Sequence, residues 1–497
     1  MRTAIVAFLL SVLSGTILTP VVRRMAHRFG LLDHARSSRK IHGQPIPRLG
    51  GIAIVLAFFA PLVGLLLWQT EVGHLFLAER EHVIGLFAGG ITIALLGLYD
   101  DLHGANAWKK FVVQFMVAGL LYRLGFRIQE IANPFGSGLE LGWFSLPFTM
   151  FWIVGVINAM NLIDGLDGLA GGVALVAVVT TFLISIQRGH PLMMLFSAAL
   201  AGAIVGFLFY NFNPASIFMG DSGSMFLGFV LAASALRTGQ KSSTAVAVLI
   251  PGIALGLPIL DTLLAIGRRA MRGRPLFQAD REHIHHRLMA LGLSHRQTVL
   301  VLYGFCVLLG AAALILTYAS SGEAALLLLV LGLVALVFLR SLGYMRLDRV
   351  SASAADRKRN RALLSSVRPL GRRLRQLRSA EEIWQVVIEA AGKVGATSAT
   401  LLSEPAAQAS SATPTQAFAF DGTPADATTE PFRGRFVVPG GKAERALELG
   451  WTDGRDEVDR DTEIAVDIFC EYLGDALDAL KLQPVPARPS SRLGPQA

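Results

Sequence analysis

Charge is what this sequence has least of. Only 16% of its 497 residues are Asp, Glu, Lys or Arg, where soluble domains carry about a quarter. With 53% hydrophobic residues and a mean hydropathy of +0.52, that shortage excludes a water-soluble globule for most of the chain. Cysteine is nearly absent. Cys306 and Cys470 stand far apart, which leaves no disulfide framework and no cysteine-based zinc site. No internal repeat is visible, against the symmetric halves that many transporters carry. The formal net charge of +9 does not point to a nucleic-acid partner, because in a membrane chain such an excess collects in cytosolic loops facing anionic lipid.

What the sequence does have is long apolar runs, from Met1 to about Leu342. A spanning helix needs roughly 20 mostly apolar residues. About eleven segments meet that need: 3–22, 50–69, 83–99, 111–125, 146–162, 169–187, 192–210, 223–238, 244–266, 298–318 and 323–341. The first follows Met1-Arg2 and is read as a transmembrane helix rather than a cleaved signal, since its apolar run is long enough to span. Arginines set the orientation. Arg23, Arg24, Arg28, Arg36, Arg39, Lys40 and Arg48 crowd one loop, and Arg268, Arg269, Arg272, Arg274, Arg281, Arg287 and Arg296 another. The positive-inside rule places both loops in the cytosol, with the N-terminus outside and the C-terminal region inside. Residues 126–147, with Asn133-Pro134 and Gly136-Ser137-Gly138, read as a short external hairpin.

The expected fold is an all-α polytopic membrane protein of about eleven transmembrane helices with a small C-terminal α/β cytosolic domain. Residues 1–342 form the membrane domain and 343–378 a basic juxtamembrane linker. Within it, 346–378 holds eleven Arg or Lys against two acids, suited to the anionic inner leaflet. Residues 379–483 make the small domain, with helices at 379–395 and 459–480, strands at 398–402 and 433–438, and a Ser/Ala/Thr/Pro-rich loop at 403–430. The tail 484–497 is expected to be disordered.

Polar residues gather at the ends of apolar segments. Asp100-Asp101 ends the third. Asn158, Asn161, Asp164 and Asp167 end the fifth, Asn211, Asn213 and Asp221 follow the seventh, and Asp280, His283, His285, His286 and Arg287 follow the ninth. The orientation drawn from arginines alone puts all four clusters on the cytosolic side. Each has an ordinary reading by itself: a solvated acidic pair, a helix cap, a turn. Jointly they do not, because an acid at the centre of a membrane helix costs roughly 2.5–3.5 kcal/mol on insertion scales. Crowded carboxylates without a cysteine or histidine cage favour Mg²⁺, which typically takes one or two carboxylates plus substrate phosphates. Nearby arginines with Lys109 and Lys110 suit phosphate. The combination is that of phosphoryl transfer.

These residues resemble the polyprenyl-phosphate N-acetylhexosamine-1-phosphate transferases (glycosyltransferase family 4). The resemblance covers about residues 1–320. Its motifs are Arg39-Lys40-x-His42 with Pro45-x-Pro47-Arg48-x-Gly50-Gly51, Asp100-Asp101 with Lys110 and Gln114, Asn158-x-x-Asn161-x-x-Asp164-Gly-x-Asp167-Gly, Gly220-Asp221-Ser222-Gly223, and His283-x-His285-His286-Arg287. The last looks like the undecaprenyl-phosphate GlcNAc-1-phosphate branch. The phospho-MurNAc-pentapeptide translocases instead carry three consecutive histidines followed by an acid.

The resemblance implies Asp221 and Asn161 as Mg²⁺ ligands (with Mn²⁺ as an alternative) and Lys110 on the pyrophosphate. Asp164 and Asp167 would shape the nucleotide-sugar pocket, and Asp100 and Asp101 would sit near the attacking lipid phosphate. Arg39, Lys40, Arg48, Asn158, His283, His285, His286 and Arg287 would bind substrate. The implied substrates are a UDP-N-acetylhexosamine and undecaprenyl phosphate, with UMP released and a cell-envelope polysaccharide such as O-antigen begun. The C-terminal domain faintly resembles a reduced GAF-like module. Homodimerisation and docking of downstream glycosyltransferases on that domain are left open. Two competing readings explain less. A lipid or solute transporter would hold its acids near the bilayer midplane, and a signalling protein acting through residues 343–497 leaves the acidic clusters without a role. The CDP-alcohol phosphotransferases continue their Asp-Gly motif with Ala-Arg, where this chain has Ala170-Gly171-Gly172.

Overall fold

The computed structural model describes residues 1–33, 46–67, 71–131, 139–239, 249–272, 283–344, 363, 365–377, 379–404, 413–419, 432–439, 444–454, 458 and 460–479. The chain divides into two compact units, residues 1–268 with 276–346, and residues 269–275 with 347–497.

In the larger unit, helices α1 (Arg2–Arg28), α2 (Gly50–Leu67), α3 (Glu71–Ala78), α4 (Arg80–His103), α5 (Ala107–Arg123), α6 (Ser145–Ile163) and α7 (Leu169–Gln187) come first. They are followed by α8 (Pro191–Asn211), α9 (Gly220–Gly239), α10 (Leu249–Ala254), α11 (Gly256–Arg272), α12 (Ile284–Ala290), α13 (His295–Leu316) and α14 (Ser321–Ser341). Among the described residues, seven helices are long and apolar enough to cross a membrane, and Gly50–Leu66 is a shorter apolar one. Helices also form at the other expected segments, but by this criterion they do not qualify as spans. The ninth expected segment is not one helix. It breaks at Leu255 between α10 and α11, where Pro258 in the first turn of α11 has no N–H to continue an upstream ladder.

α1 shows how such helices pack. Its buried face is Ala4, Ala7, Ser11, Gly15, Thr19, Val22 and Ala26, recurring every three or four residues. Its large side chains Leu9, Leu13 and Ile17 are exposed. A soluble helix would reverse this pattern. In lipid, small residues facing inward let backbones approach closely, while the outer face needs only to be apolar. Gly15 accordingly lies against Ala203 and Gly206 of α8. Two short antiparallel pairs close the unit's loops. β1 (Leu32–Asp33) pairs with β2 (Ile46–Pro47), and β3 (Glu130–Ile131) pairs with β4 (Leu139–Glu140), Glu130 opposite Glu140. The second pair is the expected hairpin.

The smaller unit is a four-stranded antiparallel sheet of β5 (Ser398–Glu404), β6 (Thr413–Ala419), β7 (Phe432–Val438) and β8 (Glu444–Trp451) in the order β6-β5-β8-β7. It forms one core with α15 (Ala380–Lys393) and α16 (Arg460–Ala479). Alternate residues Leu401, Phe436, Val438, Leu447, Leu449 and Trp451 share that core with Ile383, Val387, Phe469 and Leu473. β6 corrects the sequence reading, which made 403–430 a loop. A Thr/Ala/Gln stretch has little strand pattern of its own. Pairing with β5 and an edge position, where Pro414 removes no interior ladder bond, allow it.

Candidate active site

The site begins where two helix ends touch. Gly97 of α4 lies against the Asp221–Ser222 backbone, and a Cβ there would meet Asp221 O and Ser222 N at 2.5 Å. This close approach lets the Asp101 carboxylate, one turn further along α4, cap α9. Oδ1 accepts the Asp221 N–H at 2.8 Å and Oδ2 the Ser222 N–H at 3.0 Å. A carboxylate so placed also meets the positive end of the helix dipole. Asp100 faces a different set of groups. Its Oδ1 accepts the Ala105 N–H at 2.5 Å and its Oδ2 a proton of Lys110 Nζ at 2.5 Å. The same ammonium donates to Asp221 Oδ2 at 2.6 Å. One lysine thus bridges two carboxylates from α4 and α9.

Residues 47–51 run beside the start of α9. Phe218 N donates to Pro47 O, Gly50 N to Phe218 O and Gly51 N to Met219 O, at 2.7–2.9 Å. This pairing brings Arg48 within electrostatic reach of Asp164. The end of α6 closes the other side. Asn161 Nδ2 donates to Ser224 Oγ at 3.0 Å, and its amide is within hydrogen-bonding reach of Asp221. Asn158 Nδ2 donates to Gln114 Oε1 at 2.7 Å. Asp164 follows α6 directly. Burial first, then the nearby Asp221, Asp101 and Asp167 carboxylates, push its pKa up to about 7, with Arg48 opposing. Asp167 ties two loops together, accepting Asn213 Nδ2 and Ala215 N, each at 3.0 Å. The next residue, Gly168, has φ +77, a conformation costly for other residues. Its N–H donates to Asn211 Oδ1 at 3.1 Å and its carbonyl accepts the Tyr303 hydroxyl at 2.5 Å.

The histidine segment reaches the same turn. His285 is 2% exposed and lies against Gly165. Burial, followed by its histidine neighbour His286, lowers its pKa to about 3, so its ring is neutral. The His286 ring lies against it, tilted by 45° at 4.2 Å between centroids. His283 is held by Asp261 of α11, at 2.8 Å between Nδ1 and Oδ2. Arg287 is engaged elsewhere. It lies 4.0 Å over the Tyr344 ring and donates to Leu342 O at 3.0 Å.

The structure therefore brings together Asp100, Asp101, Lys110, Asn161 and Asp221, with Asn158, Asp164 and Arg48 around them and His285 at the adjoining turn. Asp167 is committed to the 211–215 loop and Arg287 to the end of α14. Arg39 and Lys40 lie outside the described residues. Sequence reasoning missed Asp261, Ser224 and Tyr303. Only Asp261 had a readable signal, as the sole acid within the apolar segment 244–266. Among the described residues no group of three His, Cys, Asp or Glu is arranged to hold a metal ion.

Beside this cluster opens an apolar groove of about 820 Å³ between α5, α6 and α11. Phe111, Phe115, Met116 and Phe151 line it together with Thr262 and Ile266, and Asn158 supplies a polar wall. One helical turn along α5 from Gln114, the partner of Asn158, stands Lys110.

The sequence profile described as glycosyl transferase family 4 matches residues 83–239. A probable undecaprenyl-phosphate N-acetylglucosaminyl 1-phosphate transferase of Bacillus subtilis is 39% identical over 317 residues, 64% of this chain and 86% of that protein. The chain belongs to this family. A second member, the decaprenyl-phosphate N-acetylglucosaminephosphotransferase of Mycolicibacterium smegmatis, is 35% identical over 64% of this chain and 82% of its own length. The phospho-N-acetylmuramoyl-pentapeptide-transferase of Lactobacillus johnsonii is 29% identical over 52% and 80%. The matched stretch 83–239 holds every carboxylate of the cluster. The chain is accordingly a membrane transferase, and the transporter reading loses its footing.

Proposed function

We propose that this chain transfers N-acetylhexosamine 1-phosphate, with GlcNAc as the sugar, from a UDP-sugar to undecaprenyl phosphate and releases UMP. The observation that carries the reading is Lys110. It is a cation set between two carboxylates, beside an 820 Å³ apolar groove. A polyprenyl phosphate has the matching shape, an anionic head on a long hydrocarbon tail. The tail would lie in the groove with its phosphate toward Lys110 and Asp100, and the donor would enter past Asp164, Arg48 and the histidines. The same proposal places the site on the cytosolic face of the inner membrane, in a chain that crosses it about eleven times, and gives it a role in starting a cell-envelope polysaccharide such as O-antigen.

In the reaction a lipid phosphate oxygen attacks the sugar-linked phosphorus, and the bond from that phosphorus to the bridging oxygen breaks as UMP leaves. A phosphomonoester has a second pKa of about 6, so the nucleophile is already mostly dianionic at neutral pH. Repulsion between phosphates is the larger obstacle. Lys110 and Arg48 oppose it. Asp100 orients Lys110, and Asp101 fixes the backbone under Asp221, so neither need remove a proton. Mg²⁺ fits the donor set. Asp221 and Asn161 offer hard oxygens, and an ion that takes its remaining ligands from water and phosphate needs no third carboxylate. Mn²⁺ suits the same donors. When bound, the ion would neutralise phosphate charge, and Lys110 would hold a phosphate oxygen from beside Asp100 and Asp221.

The test is UMP release by purified protein with undecaprenyl phosphate, Mg²⁺ and UDP-GlcNAc, with and without EDTA. Lipid-dependent, EDTA-sensitive UMP is the expected result, and a panel of other UDP-sugars then fixes the sugar. Folded protein that releases none from any UDP-N-acetylhexosamine would sink the proposal.

A further inference from the structure

Asp261 is a carboxylate with no place in the phosphate chemistry, yet it is 2% exposed in an apolar helix. An acid buried this way is tolerated only when its oxygens are bonded. Both are. Oδ2 meets His283 Nδ1 at 2.8 Å, and Oδ1 accepts the Ile284 N–H at 2.9 Å. A carboxylate oxygen only accepts here, so Nδ1 carries the proton and the tautomer of His283 is set. Ile284 is the first residue of α12 and His283 its N-cap, but the His283 side chain caps nothing in its own helix. Asp261 supplies that cap from α11. The result is a fixed ring at the head of α12. The His285 ring lies parallel to it, at 5.8 Å between centroids and 5° between planes, and against Gly165 beside Asp164. The adjacent Thr262 lines the apolar groove.

We infer that Asp261 is a positioning residue for donor binding, acting through His283. One carboxylate fixes that imidazole's tautomer and the start of the helix that lays His285 on the Asp164 turn. This rests on the reaction proposed above.

Asp261→Asn separates tautomer control from capping. The amide oxygen can still accept from Ile284, but its NH₂ offers a donor to Nδ1 and drives the ring proton to Nε2. UMP release is measured at saturating lipid while UDP-GlcNAc is varied. The expected loss in kcat/KM for the donor is about 10-fold or more, carried mainly by KM, with lipid KM within about 2-fold. His283→Ala gives a loss of similar size, and the double variant is no worse than His283→Ala alone, since both changes remove one interaction. His283→Asn guards against misfolding. Its amide still donates to Asp261 but has no Nε2, so it stays folded and shows the same raised donor KM. Multiplicative losses in the double variant, or a His283→Asn enzyme as active as wild type, overturn the inference. So does an Asp261→Asn enzyme within about 2-fold of an active wild type. A wild type without lipid-dependent UMP release overturns the reaction itself, and the inference with it.

Discussion

The two units use the same side chains for opposite ends. In the C-terminal unit Arg375 meets Asp475 at 3.0 Å, with both side chains more than 60% exposed. In the membrane unit Lys110 meets Asp100 and Asp221 at 2.5 and 2.6 Å, with all three below 30% exposed. Distance alone would make them relatives. Solvent makes them different. An exposed pair is worth about 0–1 kcal/mol, because water and salt already serve both charges. A cluster held from water carries a desolvation cost and persists where the charges do something that water cannot. Two carboxylates around one ammonium also leave that group of three with a net negative charge.

The sharpest way to break this comparison is to remove the ammonium. Lys110→Ala should lower kcat/KM by about 10²–10³-fold, the usual cost of deleting one charged contact to a transferring group. Asp221→Ala should abolish turnover while the protein still inserts and folds. Radiolabelled transfer in membranes reads both, and near-normal activity in either would remove that residue from the phosphate site.

A smaller effect tests whether burial among the cluster's charges keeps a proton on Asp164. Asp164 titrates near 7 instead of its usual 3.8. The folded state therefore holds this proton more tightly than the unfolded one. Its contribution to stability is present at low pH and lost as pH climbs from about 4 through 7. In EDTA, Asp164→Asn should match wild type in melting temperature near pH 4 and melt higher above pH 7. Donor binding should weaken through pH 7 in wild type, because a carboxylate ionises beside an anionic donor, and this limb should flatten in the variant. Identical pH profiles would mean that neither burial nor the neighbouring carboxylates hold a proton on Asp164.

Much of the site was legible because membrane depth makes charge conspicuous. Asp100, Asp164 and Asp221 stand out against apolar runs, and arginine counts alone put them on one side. Residues acting through shape or across long sequence separations were not legible. Tyr303 reads as one more aromatic in a helix, and its hydroxyl gains meaning only when Gly168, 135 positions earlier, is folded against it. Arg287 reads as a phosphate ligand, and its contacts with Tyr344 and Leu342 could not be read from the sequence. The break between α10 and α11 hid in an apolar composition whose prolines and glycines were weighed by hydropathy alone. β6 hid for the opposite reason: its stretch has no pattern, and its partner strand supplies the order.

Tyr303→Phe refines the comparison at a smaller scale, since it deletes one oxygen and no charge. The lost bond to Gly168 should cost about 1 kcal/mol, seen as a donor KM raised about 5-fold at unchanged kcat. Unchanged KM would mean that the Asn211 contact holds the turn alone.

The smallest effect belongs to the exposed pair, and its smallness is the point. Arg375 has two attachments, the Asp475 carboxylate at 3.0 Å and the face of Tyr472, 5.0 Å from its guanidinium. Arg375→Ala removes both, whereas Asp475→Ala removes only the ion pair. If solvent has already discounted the charges, Asp475→Ala should shift stability by less than about 0.5 kcal/mol, and Arg375→Ala by little more, through lost packing on the ring. Transferase activity should be unchanged in both, read beside Lys110→Ala in the same membranes. A large loss of activity from either variant would mean that the C-terminal unit's charges take part in the reaction, and the division drawn from exposure would have to be abandoned.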